Sequence, residues 1–331
     1  MSKLNAVITG VGGYVPDTIV TNEDICKLVE SSDEWIVSRT GIKERRKLSE
    51  NVGTSFMGSK AVQELLRKTG TDPLEIEAVI CATNTPDHVL PAAATMIAEQ
   101  CGLKKAFGYD IGAACSGFIF ALSTGAAFIE AGRFKKVIVV ASEKMTSITN
   151  YNDRTTCPLF GDGAGAVLLE PTTEDYGLMD SVMHSDGSGL PHLHMKAGGS
   201  VKPACHESVD NDEHYVYQEG QAVFKTAVNR LVEACEEIKE RNNLKPEDVT
   251  WVVPHQANMR ILDAIVRFMD IPIERVMINI QKYGNTSSAS IPLCLWEYES
   301  QLKKGDVLIL SAFGAGFSWG GLYLKWGYDP K

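Results

Sequence analysis

Two stretches of the chain run through the same succession of signals, and a repeat of this length constrains the fold more than any single residue does. In the first, Asp72-Pro73-Leu74-Glu75 leads into the apolar run Ala78-Val79-Ile80-Cys81-Ala82, a predicted strand, followed by a helical pattern through Ala92 to Gln100. In the second, Lys245-Pro246-Glu247-Asp248 leads into Trp251-Val252-Val253, followed by a helix from Asn258 to about Met269. The order continues in parallel. A strand from Ala106 to Ile111 turns through small residues into a helix beginning near Cys115; one from Arg275 to Ile280 turns through Gly284-Asn285-Thr286 into a helix beginning near Ser288. Strands Val137 to Ala141 and Val307 to Ser311 come next. Each half closes on a glycine-rich turn and a further strand, Gly161 to Ala166 before Val167-Leu168-Leu169, and Phe313-Gly314-Ala315-Gly316 before Gly321-Leu322-Tyr323-Leu324.

Nearly continuous apolar strands alternating with helices predict mostly parallel sheets covered on both faces, an α/β layered core of two similar halves. The expected division is 1–173 and 174–331, and 331 residues suffice to bury a substantial core. If a pseudo-twofold axis relates the halves, Cys115 and Asn285 occupy matching strand-to-helix junctions and can face each other.

Charge narrows the function. A formal charge of -10 without a basic stripe argues against nucleic acid as a partner. No run is apolar enough to span a membrane, and Met1-Ser2-Lys3-Leu4 passes at once into strand-like Ala6 to Gly10, leaving no room for a signal peptide. The eight cysteines form no C-x-x-C pair, so zinc-ribbon, redox and disulfide-framework readings lack support. A cytoplasmic, reduced protein is expected.

Three residues stand where chemistry would be done. Gly112-Ala113-Ala114-Cys115-Ser116-Gly117 is a small-residue turn before the almost wholly apolar helix Phe118 to Ile129, which must be buried. A thiol at that helix's first turn feels the positive end of its dipole, which favours thiolate. Taken alone, the turn fits a nucleophile and a buried structural cysteine equally well. His255 ends the strand Trp251 to Pro254, the edge at which open α/β sheets place ligands, so function is favoured there. Asn285 by itself reads as a turn or N-cap residue. His192, His194, His206 and His214 cluster around Cys205, but their spacing fits no standard zinc pattern and no metal is expected. Gly161 to Gly165 leads into a strand rather than a helix, so it reads as a structural turn and not a phosphate loop.

Taken together, Asp33-Glu34-Trp35-Ile36-Val37-Ser38-Arg39-Thr40-Gly41-Ile42, Ala114-Cys115-Ser116-Gly117-Phe118, Pro254-His255-Gln256-Ala257-Asn258 and Gly284-Asn285-Thr286-Ser287 resemble β-ketoacyl-acyl carrier protein synthase III. The resemblance spans nearly the whole chain. It implies a thiolase-like five-layer αβαβα sandwich, a homodimer, and no cofactor beyond a coenzyme A thioester used as substrate. By the same resemblance, Cys115 attacks an acyl-coenzyme A primer with the amides of Cys115 and Ala315 as oxyanion hole. His255 and Asn285 donate hydrogen bonds to the enolate formed as malonyl-acyl carrier protein loses carbon dioxide. Trp35 and Arg154 would sandwich the adenine with Arg39 and Thr40 nearby, and Gly220, Phe224, Ala257 and Asn258 would line the pantetheine channel. Lys225, Arg260 and Arg267 would form a basic patch for the acidic carrier protein, and Leu90 would close the acyl pocket.

The nearest alternative is a related condensing or acyl-transfer enzyme of secondary metabolism with the same Cys-His-Asn set. A biosynthetic thiolase would carry a second catalytic cysteine in a C-terminal glycine-rich motif, and Ala312 to Gly321 contains none. A catalytically silent partner subunit is at odds with the intact trio. Thr155 follows Arg154 where a glycine is familiar, and the long polar segment 197–215 is expected to alter access to the tunnel.

Overall fold

The computed structural model describes residues 4–329. Its first sheet takes strands β1 (Asn5–Tyr14), β2 (Ala78–Ala82), β3 (Phe107–Ile111), β4 (Val137–Lys144) and β5 (Asp162–Thr172) in the order β1-β5-β4-β2-β3. The second takes β6 (Gly177–Ser185), β7 (Trp251–Pro254), β8 (Val307–Gly314) and β9 (Ser318–Lys325) in the order β7-β8-β9-β6. Six helices cover them: α1 (Thr54–Thr69), α2 (Ala93–Gln100), α3 (Gly117–Glu130), α4 (Gly220–Asn242), α5 (Met259–Met269) and α6 (Ser290–Tyr298).

Side-chain pattern decides which layer each helix joins. Helix α3 is apolar on all sides, as Phe118, Ile119, Leu122, Ala126 and Ile129 show, because it lies between the two sheets and touches strands of both. Helix α6 shares that middle layer, packing on β5, β1 and β7. By contrast α5 buries only Ile261, Leu262, Ile265 and Met269 and leaves Arg260, Arg267 and Phe268 to solvent, as an outer helix should. With α4 it covers the second sheet, Ile261, Ile265 and Met269 joining the cluster of Val252, Ile309 and Phe313, while α1 and α2 cover the first. The result is the five-layer αβαβα sandwich of the thiolase-like fold. No helix among the described residues is long and apolar enough to cross a membrane.

Three expectations need correction. The sheets are mixed rather than mostly parallel: β2 runs parallel to β3 and β4, and β7 to β8, but β4-β5, β1-β5, β8-β9 and β9-β6 are antiparallel. The chain returns from β4 to β5 and from β8 to β9 without a crossover helix, and only antiparallel strands can be joined so directly. Residues 275–280 form no strand. A single bridge joins Val252 to Val276, and beyond it side chains take over the ladder's role: Tyr298 Oη accepts from Ile278 N, while Gln256 accepts from Asn279 N and donates to the Met277 carbonyl. Finally, Gly163 and Gly165 lie within β5 itself rather than in a turn.

The β5 glycines are there for space. A Cβ at Gly165 would lie 2.7 Å from Pro292 Cβ, and one at Gly163 2.9 Å from Leu293 Cδ1, so α6 rests directly on the strand backbone. Gly165→Val is therefore expected to lower the unfolding free energy in urea by roughly 1–3 kcal/mol, the usual effect of overpacking. An unchanged midpoint would mean that α6 does not seat against β5.

Candidate active site

Cys115 lies in the single 3-10 turn Ala114–Ser116 that precedes α3, and Ala114 takes the left-handed φ of 46° that swings the cysteine toward the second half. The end of β8 approaches this turn so closely that a Cβ at Gly314 would stand 2.6 Å from Cys115 N. Ser116 Oγ and Ser318 Oγ, 2.8 Å apart, tie the two halves at the same point. Ala315 follows Gly314 at the turn into β9, and it lines the same cavity as Cys115.

His255 sits at the end of β7, almost fully buried. Its backbone N–H donates to Ser311 O of β8, and Nδ1 lies 2.7 Å from Ser290 Oγ. That oxygen also accepts from Gln256 N–H, and in the tautomer in which the Ser290 hydroxyl donates to Nδ1 the ring proton sits on Nε2, the nitrogen free to donate. Burial pushes the imidazole down to about 3, so it is neutral at working pH. Asn285 is clamped at its backbone, donating to Leu159 O and accepting from Gly161 N, and its Oδ1 accepts from Ser287 N–H at 2.8 Å. Nδ2 is the end left to donate.

These residues share one cavity of about 340 Å³. Cys115, His255, Asn285 and Ala315 line it together with Phe224, Ala257 and Asn258. Among the described residues its wall includes no Asp, Glu, Lys or Arg. The cysteine corrects one expectation. Burial pushes the thiol up to about 12, with the Ser287 hydroxyl acting in the opposite direction and the Glu143 charge adding to the rise. At rest the group is a thiol, not a thiolate.

A second cleft, about 480 Å³, opens outward from the first and shares Leu159, Gln218, Gly220, Phe224 and Asn258 with it. Trp35, Arg39, Thr40 and Arg154 line its outer end. Here Arg154 stacks directly on the Trp35 ring, 4.6 Å from guanidinium carbon to ring centroid, so the two do not stand apart as the halves of a sandwich. A planar base would have to displace the guanidinium and inherit its place on the indole. The Thr40 hydroxyl is spent within its own turn, donating to Ile36 O and accepting from Ile42 N. Asn258 Oδ1 caps α5 through Ile261 N, leaving its amide nitrogen toward the channel.

Arg260 and Arg267 do share one face of α5, and Arg260 lies over the Phe224 ring at 5.0 Å. Lys225 is exposed on the neighbouring α4. Phe268, 59% exposed and lining the same surface cleft as Arg260 and Arg267, went unnoticed in the sequence because it falls outside the buried stripe that draws attention to a helix. Leu90 does not line this chain's own cavity: it is 84% exposed in the loop before α2. That loop stands beside β3, whose Asp110 carboxylate holds the first amides of α2 at Ala93 and Ala94. Segment 197–215 joins the short strands Leu193–Met195 and Val216–Gln218, which pair and roof the cavity with Leu193, His194, Met195, Val216 and Gln218. Sequence reasoning also passed over Ser290, Gln256 and Glu143. The last had a visible signal, a lone acid ending the apolar run of β4.

Two family profiles match the chain, "3-Oxoacyl-[acyl-carrier-protein (ACP)] synthase III" over residues 109–187 and its C-terminal counterpart over 240–326. These spans include Cys115 and both of its partners. A β-ketoacyl-[acyl-carrier-protein] synthase III of Phocaeicola vulgatus is 56% identical over 99% of this chain and 99% of its own length. The solved synthase III of Thermus thermophilus superposes with a TM-score of 0.90 at 42% identity, covering 97% of this chain and 99% of that one. A priming β-ketosynthase of the R1128 polyketide pathway superposes with a TM-score of 0.92 at 35% identity, covering 99% and 98%.

The neutral imidazole makes a direct prediction. Signals of the His255 ring, followed by NMR in histidine-labelled protein, should stay those of the neutral form from about pH 8 to about pH 5. The unfolded chain takes up this proton near 6.5 and the folded one only near 3, so the residue makes the fold less stable as pH falls through that window. An inflection above pH ~5 would show that the ring is not buried as described.

Proposed function

The chain belongs to the 3-oxoacyl-[acyl-carrier-protein] synthase III family and is a condensing acyltransferase, and we propose that it joins an acyl-coenzyme A primer to malonyl-acyl carrier protein through an acyl-Cys115 intermediate. The observation that carries this reading is one thiol and two neutral hydrogen-bond donors in a single cavity whose described wall holds no Asp, Glu, Lys or Arg.

In the first half-reaction the Cys115 sulfur bonds to the acyl carbon as the thioester bond breaks, and the thiol proton ends on the departing coenzyme A sulfur. The amides of Cys115 and Ala315 receive the oxyanion. Because the resting thiol is protonated, proton loss accompanies attack rather than preceding it. In the second, malonyl-carrier protein loses carbon dioxide, and its thioester oxygen gains negative charge between His255 Nε2 and Asn285 Nδ2. Each donor is worth about 3 kcal/mol in comparable oxyanion sites. The carbanion then attacks the acyl-cysteine, releasing β-ketoacyl-carrier protein and the Cys115 thiolate, which takes up a proton from solvent to restore the resting thiol. An acid in the wall would repel the enolate, and a cationic histidine would hold the malonyl carboxylate back. Loss of carbon dioxide supplies the carbanion, so no cofactor is required.

Trp35, Arg39, Thr40 and Arg154 would take the adenine end of coenzyme A, and Gly220, Phe224, Ala257 and Asn258 the pantetheine arm, since the two clefts are continuous. Lys225, Arg260 and Arg267 at the mouth supply local positive charge for an acidic carrier protein on an enzyme of net charge -10. Among the described residues edge strand β3 has no partner on its outer side, and the exposed Phe107, Val89 and Leu90 lie along that edge; we read this as the homodimer face. Eight free cysteines support a cytoplasmic setting. The higher identity to the Phocaeicola relative favours initiation of fatty acid synthesis over the role of a polyketide priming enzyme.

Acyl-coenzyme A alone should add one acyl mass to the intact protein, mapped to Cys115, and malonyl-carrier protein should discharge it. An adduct on another cysteine overturns the assignment. Asn285→Ala should still acylate while condensation falls about 10²- to 10³-fold, the loss seen on removing an oxyanion donor; condensation at the normal rate would remove Asn285 from the mechanism. Sedimentation should show a dimer, shifted toward monomer by Phe107→Lys on the pairing edge. A dimer indifferent to that charge must form elsewhere.

A further inference from the structure

Behind the cavity lies a carboxylate that the reaction does not use. Glu143, at the end of β4, is fully buried, yet all six of its hydrogen-bond donors are neutral. Oε2 accepts from Thr83 Oγ1, Asn84 N and Thr85 Oγ1, at 3.2, 3.1 and 2.6 Å, all in the segment that follows β2 in the first half. Oε1 accepts from Ser287 Oγ at 3.1 Å and Ser288 Oγ at 2.9 Å, in the second half, with Asn84 Nδ2 farther off at 3.5 Å. One side chain thus spans the two halves beside the nucleophile. A buried carboxylate costs heavily unless each oxygen is satisfied, so these donors are held in place as firmly as they hold it.

The Ser287 end matters for chemistry. Ser287 has a left-handed φ of 51°, which a residue with a side chain keeps only under outside constraint. Its N–H fixes Asn285 Oδ1, and that bond alone decides which end of the Asn285 amide faces the cavity. We propose that Glu143 is a positioning residue for condensation: by spanning from the 83–85 segment to Ser287, it holds Asn285 with its NH₂ toward the enolate. This rests on the role given above to Asn285. Glu143 touches no substrate, and its charge disfavours the Cys115 thiolate, so acylation gains nothing from it.

Two substitutions separate reach from charge. Glu143→Asp keeps the charge but loses a methylene of reach; Glu143→Gln keeps the reach, and its amide can donate to Ser287 and Ser288, whose hydroxyls also accept. The two half-reactions are read separately, acylation by mass and malonyl-dependent discharge by quench. Glu143→Asp should lower the rate constant of discharge about 10- to 100-fold, as misplacement of a reacting group does, with acylation within about threefold of the parent. Glu143→Gln should stay within about fivefold in both. In an Asn285→Ala background Glu143→Asp should have no further effect, because the two act through one group.

Several results overturn the proposal: Glu143→Gln inactive while Glu143→Asp is normal, which would make the charge the functional element; losses that add in the double variant, which would make the effect general; or equal loss of acylation. If Glu143→Asp is insoluble, Thr85→Val removes the 2.6 Å bond that anchors Glu143 in the first half, outside the cavity wall, with the same expected split and the same refutations. A parent enzyme that acylates but never condenses would fail the proposed function itself, a result distinct from any of these.

Discussion

A helix that is apolar on every side has to be covered on every side, and α3 is such a helix. Neither sheet alone can bury it, so the chain sets one sheet on each face and shares the remaining space with α6. Everything chemical follows from that burial. The N-terminal turn of α3 emerges at the meeting of the two halves, where β8 comes so near that only glycine fits at 314. Cys115 therefore sits at the centre of the molecule without being sealed into it, and residues from the ends of β7 and β8 and from the turn before α6 converge on it.

Burial also sets the protonation states, and in opposite directions for the two titratable members. It raises the thiol and lowers the imidazole, so both are neutral at rest. A Cys-His pair that relied on a thiolate-imidazolium ground state would need charge nearby, and the described cavity wall has no Asp, Glu, Lys or Arg. A site that must discharge a carboxylate as carbon dioxide and shelter an enolate is better served by neutral dipoles held rigidly in place. Rigid placement is supplied from behind, by Ser290 at His255 and by Ser287 at Asn285, with the buried Glu143 carboxylate outside the cavity.

Much of this was legible in the residues. The repeated succession of strands and helices, and the continuous apolarity of residues 118–129, pointed to layered halves around a buried helix. The position of His255 at a strand end and the small-residue turn at Cys115 pointed to the site. Leu90 lies outside this chain's own cavity, and an apolar residue in a loop carries no mark in the sequence of whether it faces a cavity, a partner or solvent. The supposed strand at 275–280 was misjudged because its hydrogen bonds go to the side chains of Gln256 and Tyr298, which no local pattern announces.

Local periodicity and size patterns are properties of adjacent residues, so the sequence by itself determined the elements, their apolar faces and the glycines where backbones must touch. Only the tertiary structure decided which amide end of Asn285 is free, that the thiol stays protonated, that Arg154 rests on Trp35, and that Glu143 bridges the halves. Those outcomes depend on distances between groups up to 145 residues apart and on how much water is removed from around them, and neither quantity exists until the layers close.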